Sequence, residues 1–267
     1  MTTKITSKGI TIDQKDQYFD FIQVAAKKAL KQAGTKRKGL QNLFSRGGEF
    51  QNYMIAGILR FSTKLPDYNL ARSILGKDFI SPEEIAKARG IIYTEEQIIE
   101  FGKAPKLQDE KYLNWCRDNN MMLIAGPLKA MSLLDIRDLQ NKYFYSKTGG
   151  WYSNELEKFS REDKVEPSWI VLHKNPYPGS FEKSCDSQVS LVVDPMIIPN
   201  VAELAWGVTT YKAVRDIYLL SNCGARTSSL DSGGSHVSLH GFDEGGLGVA
   251  YWDDIADSYL GVAVARK

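Results

Sequence analysis

The sequence predicts an α+β fold, with a helical amino-terminal half and a carboxy-terminal antiparallel β-meander packed on a helix. Apolar residues recur at helical spacing through most of the first half. After residue 221 the chain alternates apolar and polar residues between glycine-containing turns, which is typical of short strands joined in hairpins. A long helical segment over 200–219 precedes those strands, and we expect it to support the sheet.

Composition and cysteine content predict an ordinary globular protein of the cytoplasm. The 267 residues are 43% hydrophobic and 25% charged. No window approaches about 18 consecutive apolar residues, so we predict no membrane span. The first residues lack the apolar region of a secretory signal. The three cysteines are widely spaced and no two form a C-x-x-C pair, which argues against a disulfide framework.

The net charge of +2 conceals an uneven distribution of charge along the chain. Residues 1–64 hold twelve Lys and Arg against four Asp and Glu, a net charge of +8, and the remaining residues carry a net charge of −6. Such asymmetry is one sign of a surface that binds nucleic acid through its phosphates, and a solvated helix face is the alternative. The candidate nucleic-acid-binding residues are Lys27, Lys28, Lys31, Lys36, Arg37 and Lys38.

Two helical regions are predicted in the first 64 residues. Asp13 is a suitable N-cap for the first helix, and Gly34 is a suitable end. A second helical stretch over 40–64 contains Gly47 and Gly48, and adjacent glycines destabilise a helix. We therefore expect two helices with a break at these glycines.

The segment FISPEEIAKARGIIYTEEQIIEFG has the clearest local helix signals. Ser81 and Glu84 match a capping box, Gly90 ends the helix, and a second start of the same type follows. Two short helices around a glycine turn are also the pattern of a DNA-binding helix-turn-helix. Because the second helix would present two glutamates to the DNA phosphates, we favour a plain helical hairpin.

The remainder of the chain alternates helices and strands. A helix is predicted over 109–120, a strand at MMLIAG, a helix at SLLDIRDLQNKY and a buried strand at SWIVLH. Asn200 is a suitable N-cap for the last helix, whose core-facing stripe includes Leu204, Val208 and Tyr211. The polar segment FGKAPKLQDE is the predicted boundary between a helical domain, residues 1–105, and a mixed α/β domain, residues 106–267.

The stretch CGARTSSLDSGGSHVSLHGFDEGGLGVAYWDD raises the question of a reaction centre. His236 and His240 have the spacing of zinc-binding histidines on a helix, but the residues between them alternate as in a strand. Four residues on a strand separate two side chains by about 13 Å, too far to share one metal ion. We therefore predict hairpins here, with no metal site and no cofactor.

A cysteine nucleophile paired with a histidine is the remaining catalytic hypothesis. In the predicted hairpins Cys223 and His236 lie roughly 20 Å apart, far beyond hydrogen-bond reach. Cys185 and His173 stay open as a pair, because the segment between them could fold back. The candidate nucleophiles are therefore Cys185 and Cys223, and a small buried thiol is the alternative for each.

The carboxy-terminal half carries a set of short motifs: RTSSLDSGG, FDEGGLGV, WDD and the closing GVAVARK. FYSKTGGWY and SWIVLHK belong to the same pattern, which therefore extends over about residues 130–267. In these motifs the chain resembles a group of uncharacterised bacterial proteins. The resemblance implies a bacterial protein whose second half is a unit, and it carries over no activity, ligand or site residue.

Three classes of function follow from these observations. The first is a non-catalytic binding or interaction module with a protein or small-molecule partner, since no reactive constellation fits the spacing. The second is a nucleic-acid-associated protein that uses the basic amino-terminal residues. The third is a Cys/His-dependent hydrolase.

Overall fold

The computed structural model describes residues 12–34, 36–51, 54, 66–252 and 255–266. The chain divides into two compact units, residues 1–64 and residues 65–267. In the first unit the structure describes α1 (Ile12–Gln32) and α2 (Arg37–Ser45), followed by a turn at Arg46 and further helical residues. Because α1 begins at Ile12, Asp13 is the second residue of the helix and not the residue before it, contrary to the prediction.

Helices and strands alternate in the second unit. The α-helices among its described residues are α3 (Asn69–Leu75), α4 (Pro82–Arg89), α5 (Glu95–Gly102), α6 (Glu110–Asp118), α7 (Leu133–Leu139), α8 (Phe159–Glu162), α9 (Cys185–Leu191) and α10 (Val201–Arg215). The strands are β1 (Phe79–Ile80), β2 (Met121–Ala125), β3 (Trp169–His173), β4 (Met196–Ile197), β5 (Gly224–Leu230), β6 (His236–His240), β7 (Gly248–Trp252), β8 (Leu260–Val262) and β9 (Ala265–Arg266). The fold is α+β, as predicted.

The predicted caps of two helices in the second unit are confirmed. Ser81 and Glu84 form a capping box at the start of α4, and Gly90 ends that helix in the left-handed conformation. Asn200 forms the corresponding box at the start of α10. Each of these signals satisfies helix-end N–H groups within a few residues, so the sequence alone is enough to predict it.

The first sheet has the strand order β1-β2-β3-β9-β4. β1 is parallel to β2, and β2 pairs antiparallel with β3 in a register that places Ala125 opposite Trp169. Every residue of β2 is buried, which explains its uninterrupted apolar sequence. This pair lies where β2 ends and β3 begins, at one end of the two strands.

The second sheet has the strand order β7-β6-β5-β8. β5, β6 and β7 form the predicted antiparallel meander, and His236 and His240 lie on a strand, as expected. The last predicted strand, YLGVAVARK, is instead two strands: β8 pairs parallel with β5, and β9 joins the first sheet beside β3. Alternating residues identify a strand, but they do not specify the edge on which it pairs.

Helix α10 contacts β3 of the first sheet and both β5 and β6 of the second. The predicted stripe of Leu204, Val208 and Tyr211 is buried, and so is almost every other residue of the helix up to Tyr211. Gly207 permits close approach to the first sheet, because a Cβ atom there would lie 2.3 Å from Cδ1 of Leu172. A helix that contacts two sheets is buried on most of its circumference, and the buried residues of α10 include Thr209 and Thr210 beside the apolar ones.

The predicted domain boundary near residue 105 falls inside the second unit. β1 lies before that boundary and pairs with β2, which lies after it. The rings of Phe79 and Phe101 pack on Trp169 across the same point. No helix among the described residues is both long enough and apolar enough to cross a bilayer.

Candidate functional site

A cleft of about 600 Å³ opens at the end of the first sheet where β2 ends and β3 begins. Its walls are the carboxy-terminal part of α5, the short turn at Pro105–Leu107 and the loops next to the two strand ends. The apolar lining includes Phe101, Ala104, Leu128 and Trp169, and the polar lining includes Lys103 and Lys106. The whole cleft belongs to the second unit.

Trp169 belongs to the cleft lining and, being only 8% exposed, forms what we call its floor; it is held from three sides. As the first residue of β3 it pairs with Ala125. Its Nε1 donates a hydrogen bond of 2.8 Å to the carbonyl oxygen of Phe101. Its ring stacks on Phe79 at 5.2 Å and meets the Phe101 ring edge-on at 5.5 Å. The floor is therefore pre-formed, since packing and hydrogen bonds fix the indole before any ligand arrives.

Hydrogen bonds also fix α5 and the loop that follows β2. Gln97 Nε2 donates to the carbonyl oxygen of Leu128 at 2.8 Å, and the Tyr93 hydroxyl donates to that of Gly126 at 2.7 Å. At Gly126 the two strand ends come so close that a Cβ atom would lie 2.2 Å from the carbonyl oxygen of Glu166. The wall carrying Leu128 thus has little freedom to collapse into the cleft.

The two lysines of the cleft differ in their partners. Lys103 is exposed and its Nζ pairs with Glu100 at 2.8 Å. Lys106 is half-buried, its Nζ lies 5.9 Å from the centre of the Tyr112 ring, and no carboxylate of the described residues forms an ion pair with it. Burial lowers the pKa of Lys106, and the neighbouring positive charge of Arg266 lowers it further.

Two other surface depressions have fewer buried residues in their lining than the cleft has. One of about 860 Å³ lies over the start of α6 and is lined mainly by exposed residues such as Gln108, Asp109 and Lys111. A smaller one of about 300 Å³ is lined in part by His173 and Tyr177. The part of the chain that the structure describes contains no group of three His, Cys, Asp or Glu side chains that could hold a metal ion.

The predicted nucleic-acid-binding residues lie in the first unit. Lys27, Lys28 and Lys31 are exposed on α1. Lys36 is the N-cap of α2 and Arg37 its first residue, and both are exposed. Lys38 belongs to α2, but its side chain lies outside the described residues.

The predicted nucleophiles are separate from the cleft lining. Cys185 is the buried first residue of α9. Cys223 is half-buried just before β5, and burial raises the pKa of its thiol. His240 pairs with Gly224, so the side chains of Cys223 and His240 start from opposite faces of the sheet. Nδ1 of His173 lies 2.6 Å from the carbonyl oxygen of Asn175, and burial lowers the pKa of that histidine.

Side chains of the motif RTSSLDSGG hold the β5–β6 hairpin in place. Asp231 accepts hydrogen bonds from the backbone N–H groups of Gly233 and Ser235, which closes the turn. Ser232 donates to the buried carboxylate of Glu157 through both its backbone N–H and its hydroxyl, at 3.0 and 2.7 Å. The motif therefore has a structural role in this fold.

The sequence did not indicate the cleft. Phe101, Leu128 and Trp169 come from three separate segments, and each is an ordinary core residue when taken alone. The one local signal is the pair of lysines around Pro105 in GKAPK, and the sequence alone favours a domain boundary there.

Comparisons with protein-family models, with curated proteins and with solved structures found no match to this chain. The function is therefore inferred from the geometry of the cleft and from the distribution of charge.

Proposed function

We propose that this chain is a binding protein that takes the apolar, ring-containing part of a small molecule into the cleft at Trp169. The observation that carries the proposal is the cleft itself, about 600 Å³ in volume with an aromatic floor fixed before binding. Ligand sites in proteins typically have volumes of about 300–1,000 Å³, a mostly apolar lining and a few polar groups.

The apolar lining supplies the driving force for such binding. A ring system that buries about 200 Å² of apolar surface gains about 5 kcal/mol from that burial. Because Trp169 and Phe101 already occupy fixed positions, the cleft loses little conformational entropy when a ligand binds. This gain offsets the lower end of the cost of association.

The neutral dye N-phenyl-1-naphthylamine, which fluoresces strongly in apolar surroundings, tests the proposal. We expect saturable binding to the full chain, weakened at least about tenfold by Leu128→Trp, which fills the cleft. The matched control is Leu156→Trp, because Leu156 is 70% exposed and lies outside the lining. Equal binding by both variants at unchanged melting temperature would contradict a ligand site in this cleft.

A second candidate function, nucleic-acid binding, is supported by the exposed cations of the first unit. Lys27, Lys28, Lys31, Lys36 and Arg37 are exposed, and none of them pairs with a carboxylate in the described ion pairs. Unpaired surface cations release counterions from phosphates when they bind, so the affinity falls with salt.

Fluorescence anisotropy with short labelled DNA and RNA tests this second candidate. We expect replacement of Lys36, Arg37 and Lys38 by Ala to reduce the slope of log affinity against log salt by about two to three units. The control replaces Lys87, Lys129 and Lys147, three exposed lysines of the second unit, by Ala. No binding at low salt, or equal losses in both variants, would exclude this role for the basic residues.

A further inference from the structure

Lys106 is a half-buried cation at the cleft, and its charge is not neutralised by a neighbouring acid. It lies in the turn at Pro105–Leu107, and the described ion pairs assign it no carboxylate. Lys103, three residues before Lys106, pairs with Glu100. The cleft therefore holds one lysine with a carboxylate partner, Lys103, and one without, Lys106. A cation removed from water normally has a partner of opposite charge, and Lys106 is a lysine of the cleft lining without one.

A second cation, Arg266, faces the same aromatic ring as Lys106. The guanidinium of Arg266 lies 3.9 Å from the centre of the Trp115 ring and 4.6 Å from that of Tyr112, the ring that Lys106 also faces. Nε and Nη1 of Arg266 are buried and have no hydrogen-bond partner among the described residues. Lys106 and Arg266 therefore face the same aromatic ring, and Arg266 has two donor nitrogens that no described residue uses.

We infer that the ligand of the cleft is an amphipathic anion, whose carboxylate, sulfonate or phosphate group pairs with Lys106 while its ring lies on Trp169. The inference rests on the proposed ligand-binding function and adds the chemical class of the ligand. Arg266 is not part of the cleft lining and acts through its positive potential behind Tyr112.

The position of Lys106 accounts for this choice. Its ammonium is partly desolvated, and hydrogen bonds between charged groups are stronger where water is excluded. Lys103, in contrast, is exposed and already paired, so an anion gains less from it. An apolar floor with a cation at one side matches a molecule with an apolar body and an anionic end.

Two dyes with the same ring system separate the charge from the apolar contact. 1-Anilinonaphthalene-8-sulfonate is N-phenyl-1-naphthylamine with an added sulfonate group. At low salt we expect the full chain to bind the sulfonate dye about tenfold more tightly than the neutral dye. Lys106→Met should bring the ratio of the two affinities close to one, and Lys106→Arg should retain the preference for the sulfonate dye.

Lys103→Met is the matched control, because it removes the neutralised lysine of the same cleft. The inference is overturned if the neutral dye binds in the cleft but the sulfonate dye binds no better. It is also overturned if Lys106→Met and Lys103→Met have the same effect. Failure of the proposed function gives a different result, because then Leu128→Trp would not weaken the binding of either dye.

Discussion

Arg89 is a buried cation whose charge is stabilised by very few polar contacts. Its side chain is 5% exposed and its guanidinium lies 4.3 Å from the centre of the Trp206 ring. Nη1 donates to Oγ1 of Thr210 at 2.6 Å, while Nε and Nη2 have no hydrogen-bond partner among the described residues. Burial lowers the pKa of Arg89 to about 10, which still leaves it charged at neutral pH.

We expect Thr210→Val to lower the free energy of unfolding by about 1–3 kcal/mol, because the short hydrogen bond is lost while the charge stays buried. In an Arg89→Met background the same change should cost less than about 0.5 kcal/mol, since no buried charge remains to be satisfied. Denaturant unfolding of the four proteins of this cycle measures the difference.

Thr209→Val is the comparison for this cycle, because Oγ1 of Thr209 lies 3.4 Å from Nη1 of Arg89 and donates to the carbonyl oxygen of Ala205. Its coupling to Arg89 should be smaller than that of Thr210. Identical costs of Thr210→Val in both backgrounds would show that the hydroxyl does not act on Arg89.

Cysteine reactivity is the residue-scale test of the hydrolase hypothesis. Burial raises the pKa of Cys223, and it raises the pKa of Cys116 to about 11, so both thiols are protonated at pH 7. Because the thiolate is the nucleophile, we expect slow alkylation by iodoacetamide at pH 7 and a rate that rises with pH. Rapid modification of Cys185 or Cys223 alone in the native protein at pH 7 would contradict this and favour the hydrolase.

Among the elements, helix α10 shows how packing overrides helix propensity. Replacing a helical Gly by Ala usually stabilises a helix by about 1 kcal/mol. At Gly207 the added Cβ would lie 2.3 Å from Cδ1 of Leu172 and 3.2 Å from Cε of Met122, both on strands of the first sheet. The contact between helix and sheet therefore requires a residue without a side chain at this position.

We predict that Gly207→Ala lowers the free energy of unfolding by about 1–3 kcal/mol, because the helix and the first sheet must move apart. Gly48→Ala is the control, since no atom of the described residues lies within 4 Å of the Cβ position at Gly48. Chemical denaturation measures both. A stabilised Gly207→Ala protein would mean that Leu172 turns aside at little cost.

The elements also show what the sequence could predict. The capping box at Ser81 and the N-cap at Asn200 are predictable because donor and acceptor lie three residues apart. The split of YLGVAVARK into β8 and β9 was not predicted, because its partners on β5 and β3 are far away in sequence. The cleft could not be predicted for the same reason, because three segments that are distant in sequence contribute its lining.

At the scale of the whole molecule, the two proposed boundaries make opposite predictions for truncated chains. A protein of residues 65–267 keeps β1 and the rings of Phe79 and Phe101 around Trp169, so we expect it to unfold cooperatively. A protein of residues 106–267 lacks all of these and should be unfolded, because a buried indole would lose its main contacts. Circular dichroism during thermal melting distinguishes them, and cooperative melting of the shorter chain would support the boundary near residue 105.

The position of β9 has a consequence for how the protein is made. β9 follows all the other strands in the chain, yet it lies between β3 and β4 in the first sheet. On a ribosome, which releases the amino terminus first, the edge of β3 stays unpaired until residues 265–266 emerge. A nascent chain with such an open edge is a target for foreign strands and for chaperones. The sheet that borders the cleft is therefore completed only after residues 265–266 have left the ribosome, later than all the residues that line the cleft.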